Sequence, residues 1–232
     1  MQKISSALRN KTFVWEETVF EKLRQVTEEG YRYYQTPEGD RYPSVTTVLS
    51  SLTKDSILAW RKKVGEEEAN KIASKAARRG TKLHTLCEDY LHNKDDFADS
   101  HMPSTVSMFK AIQPHIDTRV EIVYGSEIPL YSRYLKAAGT CDLYCQMDGV
   151  RTVLDFKTAS KRKERSWIEG YFLQAATYAL MIQERTGQEI LQTAVLIAVE
   201  DDSPQLFTCH GPELIEWKKK AIKVFKDYHK GT

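Results

Sequence analysis

Long apolar runs are missing from this chain of 232 residues. None approaches the roughly 18 apolar residues that a membrane-spanning helix needs, so no membrane partner is expected. Cysteine is scarce, at 4 residues, and thiols so few and scattered read as small buried hydrophobes kept reduced in a cytosolic protein. A large charge excess is also absent. The net charge of +2 excludes a chain that is basic all over, so affinity for phosphate has to come from local patches. There are no internal repeats and no low-complexity segments, which sets aside solenoids and disordered arrays. Nothing at the start resembles a secretory signal. Residues 1–14 hold Lys, Arg and Ser with no acid before Glu16, a composition shared with organellar transit peptides, although the stretch is short and runs into structured-looking sequence.

What is present describes an ordinary globular protein, with 41% hydrophobic and 28% charged residues and length enough for one domain with a substantial core. We divide it into an N-terminal hairpin and helical section over 1–103 and a core over 104–232, integrated as one domain. The segment Tyr31–Tyr42 reads as a hairpin turning at Thr36-Pro-Glu-Gly-Asp40, and its tyrosines either pack between strands or stack on bases. Ser44 is a plausible N-cap for a helix over 45–52. A helix over 56–64 has Ile57, Leu58 and Trp60 as apolar anchors. Another over 66–79 is followed by a break at Gly80, and a third runs over 81–91. Lys71, Lys75, Arg78 and Arg79 lie largely on one side of the second, with Lys82 beyond; they read either as a solvated face or as a basic wall for nucleic acid. Further expectations are a polar loop over 93–103, a helix over 104–116, a strand over 121–130, a long helix over 167–185, a buried strand over 191–199, a short strand over 205–209 and a closing helix over 213–229. The segment over 13–26 is left unassigned.

The stretch that organises the chain is 139–158. Asp148-Gly149 is a strong hairpin signal between two strands. Alternation puts Val153, Asp155 and Lys157 on one face and Leu154 and Phe156 on the other. On the preceding strand Asp142 and Tyr144 lie opposite Cys141, Leu143 and Cys145. A register that brings Asp142 and Asp155 to one face gathers two carboxylates and an ammonium, which is costly to desolvate without a cation or ligand. The bland alternative is a surface salt bridge. Helical spacing also pairs Gln174 with Tyr178, and His84 with Glu88.

Taken in order, Gly80/His84/Glu88, Gly139/Asp142, Asp155/Lys157 and Gln174/Tyr178 resemble the signature of the RecB-like branch of the PD-(D/E)xK nucleases. The wording at Pro43-Ser-Val-Thr and Asp155-Phe-Lys-Thr is most similar to the mitochondrial genome maintenance exonucleases and their phage relatives; the resemblance covers residues 40–200. It implies an α/β fold of restriction-endonuclease type, a mixed β-sheet core flanked by helices, with an N-terminal helical section beside a DNA channel. It implies metal ligation by Asp142, Asp155, the Phe156 main-chain carbonyl and His84, with Glu88 or Glu127 as a further candidate. Such a hard-oxygen set suits Mg²⁺ or Mn²⁺. Lys157 would orient or deprotonate the attacking water, and Gln174 and Tyr178 would hold the DNA backbone or brace the lysine. Relatives with an iron–sulfur cluster place three cysteines after the core, whereas here only Cys209 follows it, so no cluster is expected.

Candidate nucleic-acid contacts are Lys75, Arg78, Arg79 and Lys82, together with Thr158, Lys161, Arg162, Lys163 and Arg165 in a cationic loop leaving the catalytic strand. The expected function is a Mg²⁺- or Mn²⁺-dependent DNA exonuclease preferring single strands with a free end, a preference implied by the resemblance alone. The alternatives are a double-strand or structure-selective nuclease of the same superfamily, or an inactive nucleic-acid-binding protein. A phage- or bacteria-like cytoplasmic location is expected, with a mitochondrial one as the alternative.

Overall fold

The computed structural model describes residues 4–28 and 30–231; the first three residues of the basic N-terminal stretch lie outside the described residues. A short helix α1 (Ile4–Leu8) and an edge strand β1 (Val14–Trp15) precede a small antiparallel sheet of β2 (Arg24–Glu28), β3 (Tyr31–Gln35) and β4 (Arg41–Pro43). Helices α2 (Val45–Ser51), α3 (Lys54–Val64), α4 (Glu66–Leu91) and α5 (Pro103–Arg119) follow. The main sheet is then built from β5 (Val120–Ser132), β6 (Ala137–Met147), β7 (Val150–Ala159), β8 (Gln192–Val199) and β9 (Gln205–His210). A single 3-10 turn, Arg165–Trp167, leads to α6 (Glu169–Thr186) between β7 and β8, and α7 (Gly211–Lys230) closes the chain.

The main sheet has the order β1-β5-β6-β7-β8-β9. Its β1–β5 and β7–β8 pairs are parallel and the others antiparallel. Helices cover both faces, and the strands show why. In β8 every residue is buried: Ala194, Leu196 and Ala198 pack with Leu83, Phe109 and Ile112 of α4 and α5, while Val195, Ile197 and Val199 pack with Phe172 and Ala176 of α6 and Leu214 of α7. A strand apolar on both sides belongs in the middle layer of three. The architecture is thus the expected one, a mixed sheet flanked by helices.

The β6–β7 hairpin turns where its residues dictate. Asp148 and Gly149 have φ of 54° and 80°, so both sit in the left-handed region that a two-residue turn between twisted strands demands. Ser44 accepts a hydrogen bond from the Thr47 N–H at 2.9 Å as N-cap of α2. In the small sheet Tyr34 is buried against Tyr131 and Ala138, so this tyrosine is used for packing.

Three expectations need correction. Gly80 does not break a helix: α4 runs unbroken through 26 residues. One glycine costs a helix about 1 kcal/mol, and burial of Leu83, Leu86, Cys87, Tyr90 and Leu91 outweighs that cost. Ile57, Leu58 and Trp60 are not anchors, being 45%, 46% and 37% exposed; α3 packs along α4 and buries none of its own residues. Cys141 joins the cluster of Tyr144, Val153 and Tyr178 instead of the one holding Leu143 and Cys145. Between the Leu143–Ser126 and Cys141–Ile128 pairs, the partner strand holds Glu127 at a φ of 49°, a departure from the extended backbone that strict alternation needs. All four cysteines are free, buried thiols. No helix among the described residues is long and apolar enough to cross a membrane.

A Cβ built on Gly80 meets nothing within 4 Å. Gly80→Ala should therefore stabilise the protein by roughly 0.5–1 kcal/mol in urea denaturation; a loss of stability would mean that the helix needs glycine there.

Candidate active site

The ladder between β6 and β7 ends at Leu143–Leu154. Beyond that pair β6 continues against β5 as far as Ala137, and β7 continues against β8 as far as Ala159. The sheet forks. Carried one step further, the same register sets Asp142 opposite Asp155, and Asp142 bridges the fork by accepting a hydrogen bond from the Phe156 N–H at 2.8 Å. The two aspartates are 8% and 2% exposed.

Other elements close on the fork. His84 arrives from α4, with Nε2 2.7 Å from the Phe156 carbonyl oxygen and Nδ1 3.6 Å from Asp142 Oδ2 and 3.7 Å from Glu127 Oε1. Glu127 reaches in from β5 at a residue with φ of 49°, an uncommon conformation for a non-glycine residue. Lys157 places Nζ 2.5 Å from Asp155 Oδ2 and 5.3 Å from the centre of the Tyr171 ring. A cavity of about 510 Å³ opens here, lined among others by His84, Glu88, Glu127, Asp142, Lys157, Gln174 and Tyr178. Gln25, Arg32 and Tyr34 of the small sheet form part of its rim. Tyr178 lies over Gly139, where an added Cβ would be 2.7 Å from the phenol oxygen. That contact explains a glycine three residues before Asp142.

Burial pushes the Asp155 carboxyl up to about 6, with the Lys157 ammonium holding it down and Asp142 adding to the rise. Asp142 is also raised by burial, against the pull of His84 and Lys157. Burial lowers the His84 pKa, but Glu127, Asp142 and Asp155 overcome it and raise the imidazole to about 9. Burial likewise opposes the Lys157 charge, and Asp155 and Asp142 raise its pKa nonetheless. Glu88 is raised by burial and by Glu127.

The donor set fits a cation. His84, Glu127 and Asp142 each offer a ligand atom within 4.8 Å of the others. Both Asp155 oxygens are buried without a hydrogen bond of normal geometry, Oδ2 having only its ion pair with Lys157. The 2.7 Å between His84 Nε2 and the Phe156 oxygen serves a hydrogen bond. It is also close to the roughly 3 Å that separates neighbouring ligands around a small octahedral ion. The fold therefore holds a His/Glu/Asp cluster able to bind a metal ion. Glu127, which sequence reasoning carried only as an alternative, sits in its middle; its signal was its place near the end of a strand.

The predicted cations are placed elsewhere. Lys75, Arg78, Arg79 and Lys82 line a second cavity on a neighbouring face of α4. Arg162 reaches Ser203 O at 3.3 Å and Asp202 at 3.9 Å. Arg165 is paired with Glu213 at 2.5 Å. The Lys163 main chain is tied to the Gln205 side chain at 2.7 and 3.0 Å. Thr158 is half-buried at the end of β7 and Lys161 is exposed. None of these five loop residues lines the metal cavity.

No protein-family model matches the chain, and no curated protein matches it. Among solved structures it is similar to the crystal structure of a "Putative exonuclease" from Eubacterium rectale, at 15% identity and a TM-score of 0.43. That alignment spans 66% of this chain and 64% of the other, which is under two thirds of its length. It is also similar to the crystal structure of SSO0001, at 12% identity and a TM-score of 0.37 over 75% and 70% of the two chains. At these values neither likeness assigns a family or an activity.

Two outcomes follow from the geometry. Gly139→Ala should cost about 1–3 kcal/mol through overpacking against Tyr178, and Tyr178→Phe in that background should recover part of it in urea denaturation, as residues in contact do. The metal-free protein should hold His84 protonated at pH 7.5, because its folded pKa of about 9 lies above the ordinary value; that contribution to stability is present below about 6.5 and is lost as pH rises through 9. Binding of a divalent ion should then release up to about one proton, read as a buffer-dependent heat in titration calorimetry. His84→Ala should remove that release.

Proposed function

We propose that this protein is a metal-dependent nuclease that hydrolyses phosphodiester bonds in DNA, with the catalytic centre at the fork between β6 and β7. The observation that carries this reading is the convergence of Asp142, His84, Glu127 and Lys157 in one open cavity, with Asp155 buried behind as the ion-pair partner of Lys157. Residues 1–103 contribute His84 and Glu88, and residues 104–232 carry the rest.

Asp142, Asp155, the Phe156 carbonyl and His84 would hold Mg²⁺ or Mn²⁺, with Glu127 as a further ligand. The bound ion supplies a water acidified enough to attack and positive charge beside the phosphoryl oxygens. Around it the side chains have separate tasks. Lys157 is held by Asp155 and by the Tyr171 ring, so its ammonium faces the reacting phosphate and orients the attacking water. Asp142 is braced by the Phe156 N–H on Oδ2, the oxygen that also lies 3.6 Å from His84 Nδ1, which sets the angle at which the carboxylate would meet an ion. Gln174 and Tyr178, one helical turn apart on α6, offer hydrogen bonds to the strand. Glu88 stands at the cavity edge, where it can hold a water.

The resemblance of the ordered motifs to the mitochondrial genome maintenance exonucleases and their phage relatives supports action on single strands with a free end. Asp155→Ala should lower cleavage by about 10²- to 10³-fold, by analogy with losing a principal electrostatic group, while DNA binding in Ca²⁺ persists. End-labelled linear single-stranded, linear double-stranded and circular single-stranded DNA with Mg²⁺, Mn²⁺ or EDTA decide the rest. Loss of the linear single strand alone, blocked by EDTA, is the expected result, whereas cutting of the circle would make the enzyme an endonuclease.

A further inference from the structure

A larger cavity, of about 920 Å³, lies beside the catalytic one. Its α4 wall is Lys75, Arg78, Arg79 and Lys82, spaced i, i+3, i+4 and i+7 and so forming one stripe. Thr81, His84, Thr85 and Glu88 repeat that spacing on the next stripe, which lines the catalytic cavity. A ligand crossing α4 thus passes from one cavity to the other, over about 14 Å of helix between Lys75 and His84. Ser104 and Thr105 from the first turn of α5 line the same space.

The facing wall carries the opposite sign, Glu200, Asp201 and Asp202 at the end of β8. The Glu200 carboxylate lies 2.8 Å from Arg79 Nη1 and 3.5 Å from Lys75 Nζ. Arg78 and Lys82 have no ion-pair partner among the described residues, and Arg79 Nε is buried without a hydrogen-bond partner. One carboxylate therefore occupies a wall of four cations and satisfies two of them. The Lys75–Glu200 pair, long and with the lysine mostly exposed, is weak and readily exchanged, while Arg79 keeps the closer hold on the carboxylate.

We propose that this second cavity binds backbone phosphates of the same nucleic-acid strand whose scissile bond lies in the catalytic cavity, and that Glu200 is the competing anion the strand displaces. The inference rests on the nuclease reading for the identity of its ligand. A polyanion supplies several charges to the four cations and releases its own counterions, so it outcompetes a single carboxylate at low salt and loses that advantage as salt rises.

Fluorescence anisotropy in Ca²⁺, over a salt series, tests the idea with a labelled dinucleotide and a single-stranded oligonucleotide of about twelve residues. The dinucleotide can occupy only one cavity. Glu200→Gln should tighten the longer strand by about 3- to 10-fold and steepen its log–log salt slope by about one, and Arg78→Ala should weaken it and flatten the slope by about one. The dinucleotide should respond to neither. Unchanged binding of the longer strand in both variants, or equal changes for both ligands, would overturn the proposal. Metal-dependent hydrolysis of bis(p-nitrophenyl) phosphate by the wild-type protein reads the catalytic assignment separately: a wild type that cleaves this diester while Glu200→Gln leaves strand binding unchanged loses only the second cavity. Thermal unfolding of each variant guards against misfolding, and a shared loss of the transition with lost binding would count against the phosphate contact at Arg78.

Discussion

Two carboxylates, Asp142 and Asp155, sit almost out of reach of water at the point where the central sheet divides, and the rest of the structure is arranged around that electrostatic burden. Burying one unpaired charge costs several kcal/mol even after relaxation; here there are two of like sign. Compensation is drawn from separate elements: the Phe156 N–H bonds Asp142, Lys157 pairs with Asp155, and His84 approaches Asp142 from α4. The balance stays incomplete in the protein alone, since the Asp155 oxygens lack normal hydrogen bonds. A bound cation would complete it. Stability and proposed catalysis therefore make opposite demands on the same atoms, as is usual where charges are held in sites short of water.

The fork creates this arrangement and also makes it accessible. Were the β6–β7 ladder continuous past Leu143, the backbone groups of Phe156 would be spent on pairing and the carbonyl that meets His84 would be covered. Ending the ladder early frees one edge of each strand while β5 and β8 keep both strands rigid. Helix α4 then serves three neighbourhoods at once: Leu83, Leu86 and Tyr90 enter the core, His84 and Glu88 face the cavity at the fork, and Lys75, Arg78, Arg79 and Lys82 face the second one. A break at Gly80 would uncouple the basic stripe from His84.

Legibility in the sequence followed the range of the forces involved. The β6–β7 turn was readable because Asp148-Gly149 has local backbone chemistry, and the buried strand β8 because its apolar run has no competing explanation. The faces of Val153, Leu154, Asp155, Phe156 and Lys157 followed from the pleat. Where the outcome depended on what lay opposite, reading failed. Gly80 carries a breaker's local preference, overridden by the packing of the turns after it. Ile57, Leu58 and Trp60 have the character of core residues, yet no element arrives to cover them. Cys141 leaves its expected side where the partner strand departs from extended backbone at Glu127, and no residue near Cys141 in the sequence announces that. The ion pairs of Arg162 with Asp202 and of Arg165 with Glu213 likewise join distant parts of the chain, a pairing that no local pattern announces.

By itself the sequence determined the set of chemical groups and the local frame that presents them: Asp142, Asp155 and Lys157 on a hairpin, and His84 with Glu88 on one side of a helix. Those follow from turn chemistry and side-chain period, which act over a few residues. Only the tertiary structure decided that Glu127 joins His84 and Asp142, that Tyr178 closes over Gly139, and that the α4 cations face a cavity of their own opposite Glu200. Each of these depends on distances between segments far apart in the chain, and such distances are set by how the layers pack, which no local preference encodes.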